Sequence, residues 1–174
     1  MRRRTVMVVI AVIGGALLVA SLGMANGGKN HLRAGDLNGY EENPDISTVA
    51  TGSFKVTIDD SAQTLTYELS YSGLEGTVTQ SHIHFGKRAV NGGISVFLCG
   101  TAASPGPAGT PTCPADGTVS RTVIGADIIG PTAQGIEPAS FAELAAALRS
   151  GAAYANVHST KWPGGEIRAQ INDR

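Results

Sequence analysis

The chain has 174 residues, 16% of them charged and 5% aromatic, with 23 glycines and a formal net charge of -1. That length holds one domain with a real core and is short for two, and the composition fits turn-rich β structure better than a helical bundle, whose exposed faces need Lys and Glu. With residues 1–25 set aside, 10 basic residues face 14 acidic ones, a net charge of about −4, and this mildly acidic balance argues against nucleic acid or an anionic membrane surface as a partner.

Arg2, Arg3 and Arg4 precede an uncharged run from Thr5 to Ala25, and Gly23-Met24-Ala25 offers small residues at the positions a signal peptidase inspects. Residues 1–25 are therefore predicted to be a secretory signal peptide, which makes the protein secreted or cell-envelope associated. The same run approaches the ~20 residues that span a bilayer. An uncleaved anchor is the alternative, and it is the one membrane contact that the sequence offers. Residues 26–31 are polar and without pattern, a predicted flexible lead-in to a β domain over 32–174.

Alternation starts near Leu32 and breaks at the turn Asn43-Pro44. Phe54, Val56 and Ile58 line one face of a predicted strand, Leu65, Tyr67, Leu69 and Tyr71 line the next, and the polar tip Asp59 to Gln63 makes the pair a hairpin. A strand over Thr77 to Phe85 puts Ile83 and Phe85 on one face and Gln80, His82 and His84 on the other. Asn91-Gly92-Gly93 turns into a strand over Ile94 to Cys99 that is apolar on both faces, with Ile94, Val96 and Leu98 in phase, as in a strand covered on both sides. A Gly- and Pro-rich loop separates Cys99 from Cys113, and Val119 to Ile124 follows as a short strand.

An even cysteine count in an exported chain predicts a Cys99–Cys113 disulfide, which would remove about 3 kcal/mol of unfolded-state entropy for a loop of this size. Ser140 and Glu143 have capping-box spacing at the head of a helix over Phe141 to Arg149, with Gly151 just past its end. Ala153 to His158 is the next strand. The Pro163-Gly164-Gly165 turn leads to the last, with Ile167, Ala169 and Ile171 inward and Glu166, Arg168 and Gln170 outward. The fold class is all-β: an antiparallel, Greek-key-like β-sandwich or flattened barrel of about eight strands with one short late helix.

The order Leu37-x-Gly39-x-Glu41, Gly52-x-Phe54, His82-Ile83-His84-x-Gly86, Asn91-Gly92-Gly93-Ile94, then Tyr154-x-Asn156-Val157-His158 with Pro163-Gly164-Gly165-Glu166-Ile167-Arg168-x-Gln170-Ile171 resembles the CHRD domain, first recognised in chordin. The resemblance covers about residues 32 to 172. It departs mildly, with Arg168-Ala169-Gln170 where the family has Arg-Gly-Gln, and Glu42-Asn43-Pro44-Asp45 where it has Glu-Val-Pro-Pro. It implies an exported, non-enzymatic module that binds or builds at the cell envelope or outside it. The partner is then an extracellular protein or an envelope ligand, and growth-factor binding does not transfer to a single-domain member.

His82 and His84, at i and i+2, present two imidazoles on one side about 7 Å apart along the strand, and His158 lies on a strand that could adjoin theirs. Three such rings suit one copper or zinc ion, the alternative function, while the one remaining histidine, His31, is too few for the six of a two-metal superoxide dismutase, a β-barrel that is similar in its His-x-His strand. The competing reading makes the rings part of a polar network with Asn156, Glu166 and Arg168, with no cofactor. No serine or free cysteine sits in an activating motif, so no catalytic residue is assigned.

Overall fold

The computed structural model describes residues 28–172, so the predicted signal peptide lies outside the described residues. Eight antiparallel strands form two four-stranded sheets: β1 (Lys29–Arg33), β2 (Thr51–Asp59), β3 (Thr64–Ser72) and β6 (Gly117–Val123) in the order β1-β2-β3-β6, and β4 (Val78–Phe85), β5 (Gly93–Gly100), β7 (Ala153–Ser159) and β8 (Ile167–Gln170) in the order β5-β4-β7-β8. The sheets stack as a sandwich, not a closed barrel. Their apolar faces share one core, with Phe54, Val56, Ile58, Leu65, Tyr67 and Leu69 from the first and Ile83, Val96, Leu98, Val157 and Ile167 from the second. The hairpin predicted from the period-2 pattern is β2–β3, paired from Thr51–Ser72 to Asp59–Thr64.

β1 begins at Lys29, so residues 29–31 of the predicted flexible lead-in are strand instead. Its side chains are exposed except for Leu32, so no alternation betrays it; the strand is held by backbone pairing to β2 along the sheet edge. Helix α1 (Phe141–Arg149) lies where expected and buries Phe141, Leu144, Ala145 and Leu148 in the core. Its capping box does not form as predicted. Ser140 makes no side-chain bond to the helix backbone, and the Glu143 carboxylate accepts from the Glu137 N–H at 2.9 Å instead, which holds its pKa below the usual range. Among the described residues no helix is long and apolar enough to cross a membrane.

β5 contains two bulges. Ser81 faces Cys99 and His82 faces Phe97, which leaves Leu98 as an extra residue; Ile83 faces Val96 and His84 faces Ile94, which leaves Ser95 as another. The bulges break the expected phase, so Ile94 pairs with His84 on the outer face instead of sharing the inner face with Val96. Each frees a backbone carbonyl, and each carbonyl is satisfied from elsewhere: Ser95 O accepts from Ile129 N–H at 3.0 Å, and Leu98 O accepts from the buried Tyr67 hydroxyl at 2.5 Å, across the sandwich. The sulfurs of Cys99 and Cys113 lie at disulfide distance, 2.08 Å, tying the end of β5 to the loop that follows.

The Tyr67 bond yields a stability prediction. Tyr67→Phe keeps the ring and strands a buried carbonyl, so denaturant unfolding should show a loss of about 1–3 kcal/mol; an unchanged midpoint would mean that the bond does not pin the two sheets.

Candidate metal centre on the buried outer face of the second sheet

Because Ile83, Val157 and Ile167 point into the core, the strand period sends His82, His84, Tyr154, Asn156, His158, Arg168 and Gln170 to the opposite face of the same sheet. Cross-strand register sets them in rows: His82 beside Asn156 beside Arg168, and His84 beside Tyr154 beside Gln170, with Gln80 beside His158. The outward phase expected for Arg168 and Gln170 is found, but outward here is not exposed. His82 is 2% exposed, His84 7%, His158 9% and Arg168 1%.

Loops close over this face with their own backbone. Asn38 N–H and C=O pair with Arg168, which brings the segment after β1 alongside β8. The Asn43 side chain donates to Ala89 O at 2.9 Å and the Asn91 side chain donates to Asn43 O at 2.9 Å, joining that segment to the β4–β5 loop. Arg168 donates to Lys87 O at 3.0 Å and to Val90 O at 3.1 Å, with its guanidinium carbon 3.4 Å from the centre of the Tyr154 ring. From the β4 side, His84 stacks on the same ring, the centroids 4.8 Å apart and the planes 2° from parallel. Phe97, brought round by the first bulge, packs edge-on against His82 at 4.5 Å.

The structure brings the three predicted histidines together: one ring nitrogen from each lies within 4.8 Å of the others. Their tautomers follow from their partners. Gly92 O, 2.9 Å from His84 Nδ1, can only accept, so Nδ1 carries the proton and Nε2 is a bare lone pair. Pro163 O, 2.9 Å from His158 Nδ1, and Asn156 Oδ1, 3.1 Å from its Nε2, both accept, so the neutral ring donates to only one of them; the shorter contact, to Pro163, takes the proton. His82 Nδ1, 3.1 Å from that ring's Nε2, then donates to it. Nε2 of His82 and of His84 are buried and have no partner. Burial, aided by the neighbouring rings, lowers the pKa of His82 to about 2, and burial lowers that of His84 to about 4; His158 is lowered too. The cluster is thus three neutral imidazoles, the form a metal ion requires.

Of the three network residues named from sequence, Asn156 joins the rings. Its Oδ1 lies 3.1 Å from His158 Nε2, and its amide also meets His84 and donates to Glu42. Arg168 reaches the rings through Tyr154. Glu166 is fully buried but accepts from the Thr48 hydroxyl at 2.8 Å and the Glu75 N–H at 2.7 Å, bonds that tie down other loops. His31 sits on the other sheet, against Thr57. Trp162 is half-buried, its ring N–H donated to Glu75.

One further residue of the site stands in the sequence only as the first of Glu42-Asn43-Pro44-Asp45, where the family has Glu-Val-Pro-Pro. Glu42 follows a short turn, yet it is 6% exposed, with Oε1 unpartnered. Burial raises its pKa to about 7, against the opposing pull of Arg168, the Asn43 N–H and Asn156. Its carboxyl rests on Gly165, where a Cβ would come within 2.4 Å of Oε1 and where φ is +132°, so glycine is needed on both counts.

A family model for the CHRD domain matches residues 34–171. The chain belongs to the CHRD family, as its motifs imply. No curated protein and no solved structure matches it.

The neutral rings predict the acid response of the metal-free protein. Between about pH 6.5 and 4.5 the unfolded chain protonates three imidazoles that the fold keeps neutral, while Glu42 alone works the other way, protonated in the fold and ionised when unfolded. The three imidazoles outweigh the one carboxyl, so their contribution is full above pH 7 and net stability falls as pH drops from about 6.5 towards 4.5. Calorimetry should show a falling thermal midpoint over that window and a shallower fall in His84→Gln; a flat profile would contradict neutral burial of the rings.

Proposed function

We propose that this chain is an exported CHRD module that binds or builds at the cell envelope or outside it, and that His82, His84 and His158 hold one copper or zinc ion in its interior. The observation that carries the metal reading is a surplus of acceptors. Asn156 turns its amide N–H towards Glu42, so its Oδ1 faces the rings; the His84 Nε2 and His82 Nε2 lone pairs have no donor, and a single N–H, that of His82, serves His158 Nε2. Buried acceptors without donors cost about 1–3 kcal/mol each, and a bound cation removes that cost. The outer-shell pattern fits as well, since metal-ligating imidazoles characteristically donate their other ring N–H to a carbonyl, as His84 and His158 do to Gly92 and Pro163.

The burial of all three rings favours a held, structural ion over one that turns over substrate, because structural sites are closed and catalytic sites keep an open position. A superoxide-dismutase-like redox role is the less favoured reading on that ground. Export rests on the Arg2-Arg3-Arg4 and apolar pattern of residues 1–25, and the expected partner is an extracellular protein or envelope ligand.

Elemental analysis tests the metal reading. The mature protein, loaded with Cu(II) or Zn(II) and desalted, should retain about one ion per chain, and His84→Ala and His158→Ala should retain none while still folding. Folded wild-type protein that keeps no stoichiometric ion would leave the cluster as a hydrogen-bonded network only. Mass spectrometry of the same preparation should give a mature N-terminus after Ala25; an intact N-terminus in the membrane fraction would show an anchor instead.

A further inference from the structure

Glu42 lies one side chain away from the histidines. Asn156 spans the gap, in contact with His84 and His158 on one side and donating to the Glu42 carboxyl on the other. On its far side Glu42 helps line a cavity of about 390 Å³ with Asn43, Pro44, Ile46, Asn91 and Trp162. The walls of that cavity include Pro163, whose carbonyl holds His158, and Asn91, which precedes the Gly92 carbonyl that holds His84. The carboxyl therefore stands between the cavity and the rings. It is buried, its Oε1 is unpartnered, and the nearby Arg168 directs its Nη2 to Lys87 O and Val90 O, leaving Nη1 without a partner.

We propose that Glu42 is the charge-compensating and positioning residue of the metal centre, orienting Asn156 and setting the affinity for a divalent cation. The proposal rests on the metal reading above. Three neutral imidazoles bring no negative charge to a divalent ion, and Arg168 adds a positive one on the same face, so an ion held there is uncompensated unless a carboxylate faces it across a short, low-dielectric path. Each buried carboxyl has one oxygen without a partner, Oε1 of Glu42 and Oε2 of Glu166, but Glu166 is bonded through Oε1 to Thr48 and Glu75, whereas Glu42 is joined through Asn156 to the rings, and the glycine at 165 keeps room for its carboxyl against the loop that holds His158.

Glu42→Gln keeps the shape and the packing on Gly165 and removes the charge; Glu42→Asp keeps the charge and shortens its reach. Chelator competition with Zn(II) or Cu(II) alone should show Glu42→Gln weakening the wild-type affinity about 10- to 100-fold, the range for outer-shell partners, and Glu42→Asp recovering part of it. The Cu(II) electron paramagnetic resonance spectrum should change in Glu42→Gln, with the metal-free thermal midpoint at pH 7 at or above that of the wild type, since a carboxyl whose pKa is raised by burial costs stability there. An affinity for Glu42→Gln within about threefold of a wild type that binds one ion would overturn this role and leave the metal site standing. A wild type that binds no ion would overturn both.

Discussion

The second sheet is buried on both faces, and the period of two in its strands makes the two buried layers chemically opposite. Ile83, Val157 and Ile167 fill the core, so the residues between and beside them must face the loops, and those residues are His82, His84, Asn156, His158, Arg168 and Gln170. A buried polar layer has to satisfy its own donors and acceptors. The donors largely do so: Gln170 donates to the carbonyls of Gly86, Gly151 and Ala153, Arg168 to those of Lys87 and Val90, and two of the three rings to loop carbonyls. Two of the acceptors left over, Nε2 of His82 and of His84, belong to the imidazoles, and Oε1 of Glu42 lies one side chain away from them; Oε2 of Glu166 and Oε1 of Gln170 are also without a partner, as is the donor Nη1 of Arg168.

That imbalance links the loops to the site. Each loop carbonyl that takes a ring proton fixes a tautomer, and each fixed tautomer turns a lone pair inward. Gly92 belongs to the turn before β5 and Pro163 to the turn before β8, so the Gly-rich motifs that look like simple punctuation also orient the histidines. Gly165 has a second duty, leaving space for the Glu42 carboxyl.

Much of this was legible in the sequence, for identifiable reasons. Strands half-facing a core announce themselves by alternation, so β2, β3, β4, β7 and β8 and the phase of His82, His84 and His158 could be read directly. β1 could not, because an edge strand held by backbone pairing leaves no side-chain pattern. The β5 bulges were hidden, since Ile94, Val96 and Leu98 alternate in the chain while register against β4 shifts twice. Ser140 and Glu143 had the right spacing for a capping box, but the acid found the Glu137 N–H first. The family motif marks Glu42, but not its place at the site, because its burial depends on the pairing of Asn38 with Arg168, far away in the chain.

The central claim is that three neutral imidazoles are locked with lone pairs turned inward, and nitrogen-15 NMR of the ring nitrogens reads it directly. In metal-free protein at pH 7, His84 and His158 should each show a single neutral Nδ1–H tautomer, with His82 matching them, and one equivalent of Zn(II) should shift a nitrogen of every ring. Imidazolium signals, Nε2–H tautomers at His84 or His158, or rings indifferent to Zn(II) would contradict it.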